Sequence, residues 1–141
     1  MSKILIMGLP GSGKTTLAIA LKNYLESHSK TVLRLNADEI RKEYDDWDFS
    51  YEGRIRQSIR MNDVANRISH GCDYVIADFI APLPEMRDAF NANHTVWVNT
   101  IEAGRYEDTN KAFVAPIKYD FMVVEQDAEY WAELIGKEIL K

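Results

Sequence analysis

The densest chemistry in the sequence lies in eight residues near its start, Gly8-Leu9-Pro10-Gly11-Ser12-Gly13-Lys14-Thr15. They match G-x-x-x-x-G-K-[ST] in full, with an apolar run before them and a helix-periodic run after them. Glycines at 8, 11 and 13 let the backbone turn tightly, so that its N–H groups converge on phosphate oxygens. A helix beginning near Gly13 adds the positive end of its dipole. Lys14 brings a point charge to the β- and γ-phosphates, and Thr15 can offer its hydroxyl to Mg²⁺. With Pro10, Ser12 and Thr16, these are the expected ATP-binding residues. A chance glycine-rich turn would not carry both flanks.

A second group of reactive side chains follows. Asp38, in Asn36-Ala37-Asp38-Glu39-Ile40-Arg41, is a candidate general base for an acceptor hydroxyl. It could equally cap a helix beginning at Glu39, and the two roles are compatible. Arg41, one helical turn on, suits an anionic acceptor. Tyr74-Val75-Ile76-Ala77-Asp78 is an apolar run closed by an acid, so Asp78 is expected to hold Mg²⁺ directly or through water. Arg56, Arg60 and Arg67 share one helical face, with Arg54 and Phe49 beside its start. Such a stripe is either a solvated face paired with acids or, with Phe49, a surface that stacks on a base and pairs with phosphate or sulfate.

These residues need a scaffold, and the rest of the pattern supplies one. Apolar or β-branched runs at 3–7, 31–35, 73–79, 95–98 and 121–124 are expected strands. Helical spacing is expected over 14–27 (Leu17, Leu21, Tyr24, Leu25), 51–70 (Ile55, Ile59, Ile68), 85–93 and 127–141 (Trp131, Leu134, Ile135, Ile139, Leu140). A polar, aromatic connector spans 36–50. Alternating strands and helices predict an α/β three-layer sandwich with a five-stranded, mainly parallel sheet, the P-loop kinase architecture. Ligands in such sheets bind beyond the carboxyl ends of the strands, where each motif above falls. No repeat or linker divides residues 1–141, so they are expected to form a single domain.

Composition narrows the class. The chain has 141 residues, 46% hydrophobic and 28% charged, a globular balance. No apolar run approaches the roughly 20 residues that span a bilayer, and residues 1–8 read as a strand entering the glycine loop, not as a signal peptide. Cys72 stands alone, which excludes an internal disulfide and favours a cytoplasmic setting. The net charge of −5 disfavours a long nucleic-acid partner. His28, His70 and His94 are scattered and form no ligand spacing. The final helix reads as core cover, with a homodimer face as the alternative.

Several of these pieces, in order, resemble the adenylylsulfate (APS) kinase family, whose members move the ATP γ-phosphate to the 3′-hydroxyl of adenosine 5′-phosphosulfate. The matching segments are 8–16, Asp38-Glu39-Ile40-Arg41, Phe49-Ser50-Tyr51-Glu52-Gly53-Arg54, and Phe79-Ile80-Ala81-Pro82 with Arg87 beyond. The likeness covers roughly residues 4–90. It implies acceptor roles for Arg41, Phe49, Arg54 and the backbone of Ile80, beside which Asp38 and Arg60 are the further expected acceptor contacts. Departures are equally specific. Asn36 stands where the family has the first of two aspartates, Ala37 where it has glycine, and Gly53 where it has the aspartate before the arginine. After the fourth strand the family's long basic lid is replaced by a short, divergent segment around 101–113. Arg105 and Lys111 are its only bases before Lys118, so one of them is expected to stabilise the transferring phosphoryl group.

Other readings remain beside this one. A related kinase could phosphorylate a nucleoside, a polynucleotide 5′-hydroxyl or a hydroxymethylpyrimidine in DNA, using the same arginines and aromatics. A non-catalytic nucleotide-binding module is disfavoured by the presence of Lys14, Thr15, Asp38 and Asp78 together. A regulatory GTPase is disfavoured because Asn110-Lys111 is followed by Phe113, where guanine recognition needs aspartate. The expected activity is thus an ATP- and Mg²⁺-dependent phosphotransferase acting on a small nucleotide-like anion.

Overall fold

Residues 3–7 are apolar or long-stemmed at consecutive positions, and a strand satisfies that pattern only when both of its faces are covered. The computed structural model, which describes residues 1–101 and 112–141, meets this requirement by placing that strand at the centre. In chain order the elements are β1 (Ser2–Met7), α1 (Lys14–Ser27), β2 (Val32–Asn36), α2 (Ala37–Tyr44), α3 (Tyr51–Ile68), β3 (Tyr74–Asp78), α4 (Pro84–Phe90), β4 (His94–Val98), β5 (Phe121–Val123) and α5 (Ala128–Ile139). Among the described residues the sheet runs β2-β3-β1-β4-β5 with every pairing parallel. The expected α/β sandwich is therefore present.

Alternation along β1 divides the core in two. Ile4 and Ile6 pack with Leu17, Leu21 and Leu25 of α1 and Ile135 of α5. Leu5 and Met7 pack on the opposite face with Met61 and Val64 of α3 and Met86 and Phe90 of α4. The chain thus leaves β1 for a helix on one face and leaves the neighbouring β3 for a helix on the other. Such a divergence opens a crevice beyond the carboxyl ends of the two strands.

Two expectations from periodicity need correction. The connector 36–50 contains a helix, α2, which begins at Ala37 and not at Glu39 and whose Ile40 reaches the core. Its short length and polar character hid its period. Of the three isoleucines expected on the inward face of α3, Ile55 packs against the core, whereas Ile59 is 49% exposed and Ile68 also lies at the surface. Gly53, Gln57, Ser58, Met61, Val64 and Ala65 are buried instead. Small residues were needed there because the connector lies close against the helix start.

Gly53 explains one departure from the family pattern. A Cβ at this position would collide with the backbone carbonyl of Asp48, and with its side chain. Substituting Gly53→Asp is expected to force the connector off α3 and to destabilise the fold by about 2 kcal/mol, in the range for overpacking a filled site. A thermal melt would then show Tm lowered by roughly 6–10 °C; an unchanged Tm would mean that the connector yields freely.

Candidate active site

The loop at 8–15 forms because β1 ends against β4. A Cβ on Gly8, at φ 153°, would stand 2.5 Å from the carbonyl oxygen of Val98, so only glycine lets the chain leave β1 here. The loop then turns into α1 through Gly13, the N-cap, at φ 103°. α1 has no side-chain cap and no acid in its first turn. The helices α2, α3 and α5 are capped by Asn36, Ser50 and Asp127 and carry acids there. The N-terminal amides of α1 are therefore left for an external anion. Ser12 Oγ, inside the loop, is fully buried without a hydrogen-bond partner. Such an orphan oxygen fits a bound phosphate group better than a closed loop.

The loop is held from behind by residues that sequence patterns did not reveal. Thr100 Oγ1, just past β4, donates to the Ser12 carbonyl at 2.6 Å. Gln126 Nε2, before α5, donates to the Gly11 and Ser12 carbonyls, each at 3.2 Å. Lys14 Nζ lies over the loop and donates to the Leu9 carbonyl at 3.0 Å. Thr16 and Thr15 are exposed at the start of α1.

Thr15 and Asp78, the two residues expected to hold a metal, lie together: Thr15 Oγ1 donates to Asp78 Oδ2 at 2.8 Å. The donated proton leaves the lone pairs of Thr15 Oγ1 free to face a hard cation. Asp78 is only 3% exposed. Burial raises its pKa above the ordinary carboxylate value, while the bond from Thr15, the charge of Arg34 and the bonds from Arg34 and Asn36 oppose that rise. Arg34 Nη1 donates to Oδ1 and Asn36 Nδ2 to Oδ2, both at 3.1 Å. Among the described residues no three His, Cys, Asp or Glu side chains converge on one point. Oxygen donors from a nucleotide would thus have to complete any divalent-cation shell here, and a hydroxyl beside one carboxylate fits Mg²⁺.

Asn36 also corrects the capping alternative for Asp38. The cap of α2 is Asn36, whose Oδ1 accepts from the backbone N–H groups of Asp38 at 3.0 Å and Glu39 at 3.2 Å. Asp38 lies inside the first turn with its side chain exposed. Through its two ends Asn36 ties the helix that carries Asp38 to the carboxylate that holds Thr15.

Beyond α2 the connector is folded around arginines. Arg41 is 5% exposed; its Nη1 donates to the Asp46 and Asp48 carbonyls at 3.1 and 3.2 Å. Its guanidinium lies 4.3 Å from the ring centre of Phe49. Burial lowers the Arg41 pKa, with Asp46 and Asp38 acting against the shift and Arg54 and Arg60 adding to it. Arg54 Nε donates to the Phe49 carbonyl at 2.9 Å, with its guanidinium 5.9 Å from the ring. Phe49 stays 51% exposed, a ring fixed by cations yet open to solvent. Arg41, Phe49 and Arg54 are thus brought together. Arg60 is turned to structure: it pairs with Asp46 at 2.8 Å and packs over Tyr44. Arg56 pairs with Asp46 and Asp48, and Arg67 Nη2 donates to Tyr44. The stripe is therefore largely a face paired with acids. The hydrogen bonds from Arg56 and then Arg60 hold Asp46 well below the usual carboxylate range.

Ile80 is half-buried just past β3. It precedes Ala81, which has φ 46°, a sparsely populated conformation for a residue with a Cβ. Arg87 holds that turn by donating to the carbonyls of Ala81 and Pro82 at 2.9 and 3.1 Å and to Val114. Val114 N–H donates in turn to Pro82 at 2.7 Å. Arg105 and Lys111 lie outside the described residues.

Comparison with known proteins bears on the family and the fold. The family model described as adenylylsulphate kinase matches residues 1–107. A probable adenylyl-sulfate kinase of Pseudomonas aeruginosa is 35% identical over 92 residues, which are 64% of this chain and 43% of that protein. The Saccharomyces cerevisiae adenylyl-sulfate kinase is 33% identical over 92 residues, 64% of this chain and 46% of that protein. The match thus spans less than half of each relative's length. In fold, the chain superposes on a Mycobacterium tuberculosis APS kinase, solved with AMPPNP and APS, with a TM-score of 0.81 at 18% identity, covering 99% of this chain and 98% of that one. Because the family model takes in residues 1–107 of the 141, the chain belongs to the adenylylsulphate kinase family.

Proposed function

We propose that this chain transfers the γ-phosphoryl group of ATP to the 3′-hydroxyl of adenosine 5′-phosphosulfate, with residues 1–141 acting as one kinase unit. The observation that carries the reading is the junction at Asn36, which links the Asp38 helix to the Thr15–Asp78 pair at the foot of the phosphate loop. Donor and acceptor halves of a two-substrate site are joined there through one side chain. The neighbour solved with AMPPNP and APS supports the same pair of substrates.

The loop amides, Ser12 Oγ and Lys14 would bind the phosphates, and Thr15, positioned by Asp78, would hold Mg²⁺. When bound, Mg²⁺ screens the charge of the phosphate oxygens. Phe49 offers its open face to the acceptor's base, and Arg54 and Arg41 give the pocket its positive potential. Arg41 is already bonded to two carbonyls, so its main work is to hold Phe49 in place. Asp38 orients the acceptor hydroxyl and takes its proton as the new P–O bond forms and the bond to the bridging oxygen breaks, releasing ADP. A cation from Arg105 or Lys111 is the proposed lid contribution.

The test is to supply Mg²⁺·ATP with a panel of acceptors and measure ADP release and labelled product. APS is expected to give the highest kcat/KM, well above nucleosides, 5′-hydroxyl oligonucleotides and hydroxymethylpyrimidine DNA. A better rate with any of those three would replace the acceptor while keeping the kinase chemistry. The pairing of Arg56, Arg60 and Arg67 with groups of this chain argues against long polymers, which need cations available along a track. ATP binding without turnover on any acceptor would favour a nucleotide-binding module.

A further inference from the structure

Asp78 is engaged by the protein at both of its carboxylate oxygens. Oδ2 accepts from Thr15 and from Asn36, and Oδ1 accepts from Arg34. The Arg34–Asp78 pair is shielded, with the arginine side chain 21% and the aspartate 2% exposed. The placement follows from register. Arg34 pairs with Ile76 and Asn36 with Asp78 across the parallel β2–β3 ladder, and alternation turns 34 and 36 toward the α1 face with Val32. Arg34 therefore follows the apolar start of β2 and places a cation 3.1 Å from the acid. Asn36 places a neutral donor where the family pattern has an aspartate.

We propose that Arg34 is a positioning residue that fixes Asp78 as the acceptor for Thr15 and, with Asn36, lowers the site's affinity for a divalent cation. This inference rests on the reading that a Mg²⁺–triphosphate binds on the loop. The physical reason is local charge. The carboxylate would otherwise contribute a full negative charge to the cation's surroundings, in a buried setting where screening is weak. The guanidinium cancels it. With both carboxylate oxygens engaged, direct ligation by Asp78 would require loss of a bond to Arg34, Asn36 or Thr15. The cation is then left to Thr15, nucleotide oxygens and water, with Asp78 acting through Thr15. Metal binding becomes strongly dependent on the nucleotide.

The measurement is Mn²⁺ affinity, by electron paramagnetic resonance titration of the full chain saturated with AMPPNP, together with AMPPNP affinity in EDTA. Arg34→Leu is expected to tighten Mn²⁺ binding about tenfold while changing metal-free AMPPNP affinity less than twofold. Arg34→Lys, which keeps the charge, is expected to stay near the wild type. Asn36→Asp is expected to tighten Mn²⁺ binding in the same direction. Should Arg34→Leu fail to fold, Arg34→Gln removes the charge with a polar side chain of similar reach, and the same gain is expected. Unchanged or weaker Mn²⁺ binding in the charge-removing variant, or a gain shared by Arg34→Lys, would overturn the proposal. None of these readouts needs an acceptor, so failure of the acceptor assignment would leave the comparison intact.

Discussion

Replacing Lys14 with alanine is expected to lower kcat/KM for ATP by about three orders of magnitude, roughly 4 kcal/mol of transition-state stabilisation. The lysine is the cation placed at the start of α1, and its Nζ hydrogen-bonds the loop's own Leu9 carbonyl at 3.0 Å. From there a rotation of its flexible stem would exchange that carbonyl for phosphate oxygens. The loop should survive the change. Its shape depends on Gly8 beneath Val98 and on the bonds from Thr100 and Gln126, none of which Lys14 supplies. Circular dichroism and Tm are therefore expected to stay close to wild type while ADP release collapses. Unaltered ATP affinity and turnover in a folded Lys14→Ala protein would remove the loop from the chemistry.

The second large effect is expected at Asp38. Asp38→Asn keeps shape and hydrogen-bonding capacity but cannot take a proton, so kcat should fall about a hundredfold with KM for ATP nearly unchanged. The substitution leaves α2 intact, because the cap is Asn36 and uses the backbone N–H groups of residues 38 and 39. It also removes a negative charge beside Arg41, whose pKa Asp38 helps to raise; the pocket becomes more positive, and a modest fall in KM for an anionic acceptor is expected for that reason. Steady-state kinetics with saturating ATP and varied acceptor separate the two effects. Undiminished kcat would place the base elsewhere.

Much of the site was readable because its chemistry is local in sequence. The loop at 8–15 is contiguous, its residue types are forced by close backbone approach, and its flanks have the right periods. Asp78 closes an apolar strand, and Asn36 to Arg41 follow another. Phe49 was readable from its neighbours as a base-stacking candidate, and the resemblance added the expectation that the base belongs to the acceptor. Spacing cannot say that Arg41 and Arg54 lie against the same ring. The arginine stripe shows the limit most clearly: helical spacing put Arg56, Arg60 and Arg67 on one face, but not their partners Asp46, Asp48 and Tyr44 on the connector.

By itself, the sequence determined the alternation of strands and helices, the phosphate loop, and the acids at the ends of the strands. Those features depend on neighbours within a few residues and on alternation with periods of 2 and 3.6. Tertiary structure alone decided which side chains are committed and which remain available. Thr100 and Gln126 brace the loop from 88 and 114 residues away along the chain, and Arg34 reaches Asp78 across 44 residues. These contacts depend on strand register and on which face of the sheet each residue occupies. One residue of slip in β2 would turn Arg34 and Asn36 away from Asp78, and no local pattern encodes that choice.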